Sequence, residues 1–257
     1  MPEGDTVFRT ARYLNDALTG GVLTVSDFRV PQHATADLSG LPVHGTVPRG
    51  KHLLTRIGDF TVHSHLGMDG LWQTGRPRQR WARPGYLARV VLATVDREAI
   101  GFELKTLEII PTAREEDVVG HLGPDLLGPD WDVEEAVRRL SSDPDRNLGL
   151  ALLDQRNLAG IGNVYRSEVL FLFGLSPQVP VSRAKDLSRL VTRAQQLLFA
   201  NRERTERTTT GDTAPGRRTW VYGRRRGAPC LRCGTPIRRA ELEGRPIYWC
   251  PSCQPER

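Results

Sequence analysis

His52-Leu53-Leu54-Thr55-Arg56-Ile57-Gly58-Asp59-Phe60-Thr61-Val62-His63-Ser64-His65-Leu66 is the stretch from which the fold is read. Phe60, Val62, Ser64 and Leu66 alternate with polar neighbours, as in a strand with one buried face. Gly58-Asp59, between 52–57 and 60–66, is a two-residue hairpin signal. Working outward, further strand-like segments lie at 22–30, 43–47, 70–74, 86–95 and 99–104. Many short strands with few helices predict a β-sandwich. One helix flanks it, from Asp5 to Leu18. Val7, Ala11, Leu14 and Leu18 recur at helical spacing, Asp5 or Thr6 can cap the start, and Gly20-Gly21 stops it.

Beyond the strands the composition changes. Residues 115–145 hold ten acidic and two basic groups, with Gly123-Pro124 and Gly128-Pro129 as breakers. Helical patterns follow at 132–140, 147–156, 163–173 and 183–203, the last with Leu187, Leu190, Val191, Ala194, Leu197 and Leu198 on one face. Gly174 and Pro177 end the third. Residues 205–219, rich in Thr, Gly and Arg, read as a flexible loop. The class is α+β and multidomain. It comprises a sandwich with its helix at 1–115, an acidic linker at 116–130, a helical domain at 131–220 and a cysteine module at 221–257.

That module carries the strongest motif. Cys230, Cys233, Cys250 and Cys253 form C-x2-C pairs sixteen residues apart, the spacing of four-cysteine zinc sites. Segments 236–240 and 245–249 can form a hairpin around Glu243-Gly244. So small a module buries little core, and metal binding supplies folding energy of order 10–16 kcal/mol in comparable peptides. Four ligands leave no open position, so one structural Zn²⁺ is expected. A redox role is the alternative, although one C-x2-C would suffice for it.

Charge points to a partner. Residues 1–200 carry 23 basic and 24 acidic groups, whereas 201–257 carry 13 and 6. The excess of the net +6 therefore lies at the basic end, which suits a polyanion, with nucleic acid first. Trp220, Tyr222, Tyr248 and Trp249 among the arginines argue against a merely solvated tail. Arginine supplies 33 of 36 basic residues, which makes the three lysines informative, because only lysine can give up its proton. Gly160-Ile161-Gly162-Asn163 lies between helical stretches, where backbone N–H groups and a helix start can hold a phosphate; a tight turn is the simpler reading. No apolar run reaches membrane-span length, and Met-Pro-Glu-Gly-Asp is not a secretory signal, so a cytoplasmic protein is expected.

Pro2 would become the first residue once the initiator methionine is removed. A secondary amine condensing with an aldehyde carbon gives an iminium, an electron sink that needs no proton. The helix start favours the neutral amine, while the Glu3 carboxylate favours the charged one. An ordinary N-terminus is the competing reading. As an acid, Glu3 needs a raised pKa and hence partial desolvation. His63 and His65 form an H-x-H, for which coincidence on a strand is favoured over a second metal site.

Together, Met-Pro-Glu-Gly at 1–4, Gly50-Lys51-His52, Ser64 to Gly70, Gly160 to Glu168 and Gly244 to Gln254 resemble the formamidopyrimidine-DNA glycosylase and endonuclease VIII family of base-excision repair enzymes. The opening Met-Pro-Glu-Gly-Asp-Thr resembles the actinobacterial endonuclease VIII group. The resemblance spans nearly the whole chain. It implies a helix–two-turn–helix motif in the helical domain, and a monomeric glycosylase with lyase activity that acts on damaged DNA by β,δ-elimination. By the same resemblance, Pro2 is the nucleophile, Glu3 the proton donor and Lys51 a catalytic phosphate contact. Asn163 and Gly162 bind a backbone phosphate, and Arg245 binds the phosphates around the lesion. Met68 matches the wedge that fills the stack when a base is flipped out. Two departures stand out. Thr6 replaces the acidic residue common in the family. The region near Ile100 to Leu104 lacks the Arg-Arg-Phe-Gly stretch of the 8-oxoguanine branch, which favours oxidised pyrimidines. A formamidopyrimidine or 8-oxoguanine glycosylase, or a damage-binding protein without catalysis, are the alternatives.

Overall fold

The computed structural model describes residues 2–256 and divides the chain into two units, 1–121 and 122–257. The first begins with α1 (Gly4–Leu18) and continues with β1 (Val25–Phe28), β2 (Val43–Arg49), β3 (His52–Ile57), β4 (Phe60–His65), β5 (Leu71–Gly75), β6 (Ala88–Ala93), β7 (Glu98–Phe102) and β8 (Thr106–Pro111). These form two four-stranded sheets, β1-β6-β7-β5 and β2-β3-β4-β8, antiparallel throughout. Phe28, Val90, Leu92 and Ala99 of one sheet meet Leu53, Ile57 and Val62 of the other in one core. Val7, Ala11, Leu14 and Leu18 of α1 join it, which is why those four apolar residues recur at helical spacing.

The expected sandwich is therefore present, and its central hairpin is as read. Ile57 pairs with Phe60 across Gly58-Asp59, and Gly58 takes φ +53, the left-handed conformation glycine permits. Three local expectations differ. Neither Asp5 nor Thr6 caps α1. The helix starts earlier, Glu3 is its N-cap residue, and the Glu3 carbonyl takes the Val7 N–H at 3.0 Å. The segment 99–104 stops as a strand at Phe102 because Glu103 (φ +47) turns the chain from one sheet to the other. The strand that follows, β8, was not anticipated; no glycine or proline separates it from β7 to signal the corner.

A short helix, α2 (Glu116–Val119), closes the first unit. The second holds α3 (Val133–Ser141), α4 (Leu148–Ala151), α5 (Asn163–Leu172), α6 (Leu187–Asn201) and the hairpin β9 (Arg238–Leu242) and β10 (Arg245–Trp249). Asp132, Asn147 and Asp186 cap α3, α4 and α6 by accepting N–H bonds of the first turn. Tyr165, Val169 and Leu170 of α5 pack with Leu190, Val191 and Ala194 of α6 in the core. Gly174 (φ +66) ends α5, with the Leu175 N–H bonded to the Leu170 carbonyl at 3.0 Å.

Of the stretch read as a linker, 116–121 falls in the first unit and 122–130 in the second, where Leu126 is fully buried in the core. The helix expected at 147–156 is shorter, ending at Ala151, and beyond it the Asp154 carboxylate receives Arg146 and Arg156. The 205–219 loop is hydrogen-bonded rather than free. The Asn201 amide bonds both the N–H and the carbonyl of Thr208, each at 2.8 Å, and Thr209 N–H bonds the Arg218 carbonyl.

Candidate nucleic-acid interface and zinc centre

In the first unit, chain direction gathers the singled-out residues at one end. Helix α1 runs antiparallel to β2: Gly20 N–H bonds the Val43 carbonyl, and Asn15 bonds Thr46. From Asn15 back to Gly4 the helix rises about 16 Å. From Thr46 on to Arg49 the strand advances about 10 Å in the same direction. Pro2 and Glu3 at the helix start and Gly50-Lys51 at the β2–β3 turn thus share an end of the sandwich. Arg49 pairs with His52 across that turn, and Gly50 takes φ +57, so Lys51 sits at the second position of a two-residue loop. Glu3 is fully buried and Pro2 half-buried, at the positive end of α1.

The Met68 loop leaves β4 at the same end, since His52 pairs with His65. It is tightly held. Gly70 N–H bonds the Leu66 carbonyl at 2.9 Å, and a Cβ on Gly70 would lie 2.2 Å from that oxygen, so only glycine fits. Arg83 donates to the Asp69 carbonyl at 2.7 Å and pairs with Glu103. Met68 itself is 66% exposed, not part of the core. Arg83 and Glu103 carry no motif and were not anticipated.

Behind this end lies a histidine cluster. His63 Nδ1 is 2.9 Å from the Glu108 carboxylate, and His52 Nδ1 is 2.8 Å from His63 Nε2. Burial, then the charges of His63, His65, His121 and Lys51, holds His52 down at about 3. Burial, then Lys105, Lys51 and His63, holds His65 at about 4. Two of the three lysines therefore act on this cluster. His63 and His65 do not gather a third ligand; among the described residues only the cysteines form a compact group of three or more potential metal ligands.

In the second unit the Gly160–Gly162 turn leads into α5. Gly160 takes φ +98 and Gly162 is the N-cap residue. The Gln155 amide braces the turn, accepting the Gly160 N–H and donating to the Ile161 carbonyl, both at 3.0 Å. Asn163 Nδ2 donates to the Pro246 carbonyl at 2.8 Å, and buried Arg166 donates to Asn163 Oδ1 and to the same carbonyl. This ties the helix start to β10, next to Arg245. Glu243 (φ +46) and Gly244 (φ +71) form the hairpin turn. Arg245 follows it, exposed, and its guanidinium has no ion-pair or hydrogen-bond partner among the described residues. Gln155 escaped sequence reading because nothing in its spacing marks it, and Arg166, although inside the quoted Gly160 to Glu168 motif, was not singled out. Glu168 falls within the quoted motif, yet its use is visible only in the fold. Its buried carboxylate accepts the N–H groups of Trp220, Val221 and Tyr222 at 2.7–2.9 Å and the Thr209 hydroxyl.

The cysteine sulfurs of 230, 233, 250 and 253 all lie within 4.8 Å of one another. Cys233 Sγ is 3.5 Å from Cys250 Sγ and 3.4 Å from Cys253 Sγ. Those separations are close to the edge of roughly 3.8 Å of a tetrahedron with Zn–S bonds of about 2.3 Å. The N–H groups of Arg232 and Cys253 point at the sulfurs of Cys230 and Cys250. Burial and neighbouring thiols push Cys250 and Cys253 up, whereas hydrogen bonds with Thr235 hold Cys233 down at about 6. The donor set fits Zn²⁺.

The sandwich, the glycine turn feeding a buried helix and the four-cysteine hairpin define the class. The chain belongs to the formamidopyrimidine-DNA glycosylase family: residues 1–104 match its N-terminal domain, 122–211 its H2TH domain, and 227–255 the zinc finger found in FPG and IleRS. The helix–two-turn–helix domain and one structural zinc expected from the sequence are thereby established. Within the family, the chain is 57% identical over 262 residues to the probable endonuclease 8 2 of Streptomyces coelicolor, covering 99% of this chain and 94% of that protein. It is 52% identical over 254 residues to the DNA-(apurinic or apyrimidinic site) lyase Nei2 of Mycolicibacterium smegmatis, covering 99% of each. The actinobacterial endonuclease 8 resemblance is borne out. The fold is also that of MutM solved in complex with carbocyclic 8-oxo-G containing DNA, with a TM-score of 0.83, 24% identity, and 99% and 100% of the two chains covered. No helix among the described residues is long and apolar enough to cross a membrane.

Proposed function

We propose that this protein is a bifunctional DNA glycosylase and AP lyase of base-excision repair that removes oxidised pyrimidines. The observation that carries the reading is the end of the sandwich where Pro2, fully buried Glu3 and the Lys51 turn come together. With Met1 removed, the Pro2 amine attacks C1′ of a flipped-out nucleotide and the base departs, leaving the sugar as an iminium on the proline nitrogen. The cation acidifies C2′, and β- then δ-elimination expels the 3′ and 5′ phosphates. Glu3, desolvated, supplies and recovers protons. Lys51 neutralises the phosphate beside the lesion.

Of the family's contacts, Asn163 and Gly162 at the start of α5 and Arg245 on the zinc hairpin grip the backbone, and exposed Met68 fills the stack. The labour divides between a catalytic sandwich in the first unit, 1–121, and DNA-binding helical and zinc modules in the second, 122–257. The zinc holds β9 and β10 in register and takes no part in the chemistry. A cytoplasmic monomer working on chromosomal DNA fits these features. The pyrimidine preference rests on the region near Ile100 to Leu104, which lacks the Arg-Arg-Phe-Gly stretch of the 8-oxoguanine branch.

The test is borohydride trapping on abasic DNA, followed by base release from matched duplexes carrying 5-hydroxyuracil, thymine glycol or 8-oxoguanine. A covalent adduct at Pro2 and preferential release of the pyrimidines are expected. Absence of any adduct would leave a damage-binding protein, and faster 8-oxoguanine release would move the chain to the other branch.

A further inference from the structure

The hydrogen-bond chain behind Lys51 has a direction. A carboxylate only accepts, so the 2.9 Å contact with Glu108 puts a proton on His63 Nδ1. In neutral His63 the other nitrogen, Nε2, is then an acceptor, and it takes the proton of His52 Nδ1 across 2.8 Å. This leaves His52 Nε2 unprotonated, with no partner among the described residues. His65 is set the opposite way: its Nδ1 accepts the Gly67 N–H at 3.0 Å, so its proton lies on Nε2. The rings of His52 and His63 stack at 5.1 Å, and His65 meets His52 edge-on at 5.2 Å. Lys51, Lys105 and His121 are the further charged or titratable groups around the pair.

His52 directly follows Lys51, and its pairing with Arg49 closes the two-residue turn. We propose that Glu108, His63 and His52 form a directional hydrogen-bond chain that positions Lys51 by fixing the exit of the Gly50-Lys51 turn. A lysine ammonium set by this turn carries charge for phosphate and stays able to exchange its proton. Arginine does not share that second property, which accounts for a lysine here in a chain of 33 arginines. His52 and His63 act through Lys51 and are positioning residues. The inference rests on the catalytic reading of Lys51 above.

Nitrogen-15 spectra of histidine-labelled, zinc-loaded full-length protein at mildly alkaline pH read the tautomers directly. His52 is expected as Nδ1–H and His65 as Nε2–H; a His52 found as Nε2–H overturns the chain. Single-turnover cleavage of abasic duplex reads its use. His63→Leu should slow cleavage roughly tenfold at saturating DNA with little change in half-saturation, the mark of a misplaced group. His63→Gln, whose amide can accept from His52 and donate to Glu108, should restore most of the rate. Should His63→Leu fail to fold, Glu108→Leu breaks the chain at its half-exposed end. Wild-type rates in the folded variants would overturn the proposal. A wild-type protein that forms no borohydride adduct would instead remove the catalytic reading, and the tautomer spectrum would still decide the chain.

Discussion

The side-chain amide of Asn15 makes both main-chain hydrogen bonds of Thr46, accepting its N–H at 2.6 Å and donating to its carbonyl at 2.8 Å. Helix α1 is thereby pinned to β2 beside the irregularity between Val43 and Gly45. With the Gly20–Val43 bond and the apolar face of α1, this contact sets how far the helix start stands from the Lys51 turn. Asn15→Ala would leave two buried backbone groups without a protein partner, at about 1–3 kcal/mol each. We expect a loss of roughly 2–6 kcal/mol in urea unfolding of the first unit, with Asn15→Asp intermediate because it can still accept. Equal stability of Asn15→Ala and wild type would show the contact to be dispensable.

Glu3→Gln keeps the volume of a fully buried side chain and removes its acidity. Base release should fall at least about 100-fold, the usual scale for a lost acid–base group, with affinity for lesion DNA close to wild type. Gel-shift and base-release assays on the same preparation separate the two. Parallel losses would mean that Glu3 holds the structure instead.

Arg245 is exposed at the tip of the zinc hairpin, so its removal should not disturb folding. Arg245→Ala is expected to weaken DNA binding and to lower the slope of log K against log salt by about one. An unchanged slope would place Arg245 away from the phosphates.

Stripping zinc should unfold the 227–255 hairpin. Trp249, 6% exposed, should become solvated, giving a red shift in its fluorescence, while hydrogen exchange in β3 and β4 stays as in the holoprotein. Cobalt replacing zinc should show the absorption of a tetrahedral thiolate site. DNA affinity that survived metal loss would count against the hairpin as a grip.

Acid should loosen the first unit through its histidines. His52 and His65 are held near 3 and 4, below the ordinary 6.5 of the unfolded chain. Between those values the unfolded state binds protons that the folded state does not. The stabilisation is therefore complete above about 6.5 and is lost as pH falls towards 4 and 3. Amide exchange in β3 and β4 should quicken across that window, and the His52→Gln, His65→Gln double variant should flatten the dependence. A wild-type profile in the double variant would assign the acid sensitivity elsewhere.

Much of this molecule can be read along the chain because its signals are local. Alternation in Phe60–Leu66 needs only neighbours to be recognised, as do Gly58 at its turn and Gly174 at its helix end. The C-x2-C pairs declare a ligand set because two thiolates on one tight turn must face one ion. Glu103 and β8 were missed because a corner between sheets can be made by a residue that carries no turn signature. Loop 205–219 read as flexible from its threonines, yet those threonines are what bonds it closed, to Asn201, Arg218 and Glu168.

By itself the sequence determined the sandwich, its flanking helix and the zinc ligands, and through its resemblance to the family it offered Pro2, Glu3, Lys51, Met68, Asn163 and Arg245 as candidates. Only the tertiary structure decided which of them meet. It set α1 antiparallel to β2 through Asn15, joined Asn163 to the carbonyl next to Arg245 through Pro246, and strung Glu108, His63 and His52 behind Lys51. Such contacts join residues 11 to 83 positions apart, and a hydrogen bond across that span leaves no periodicity in the chain.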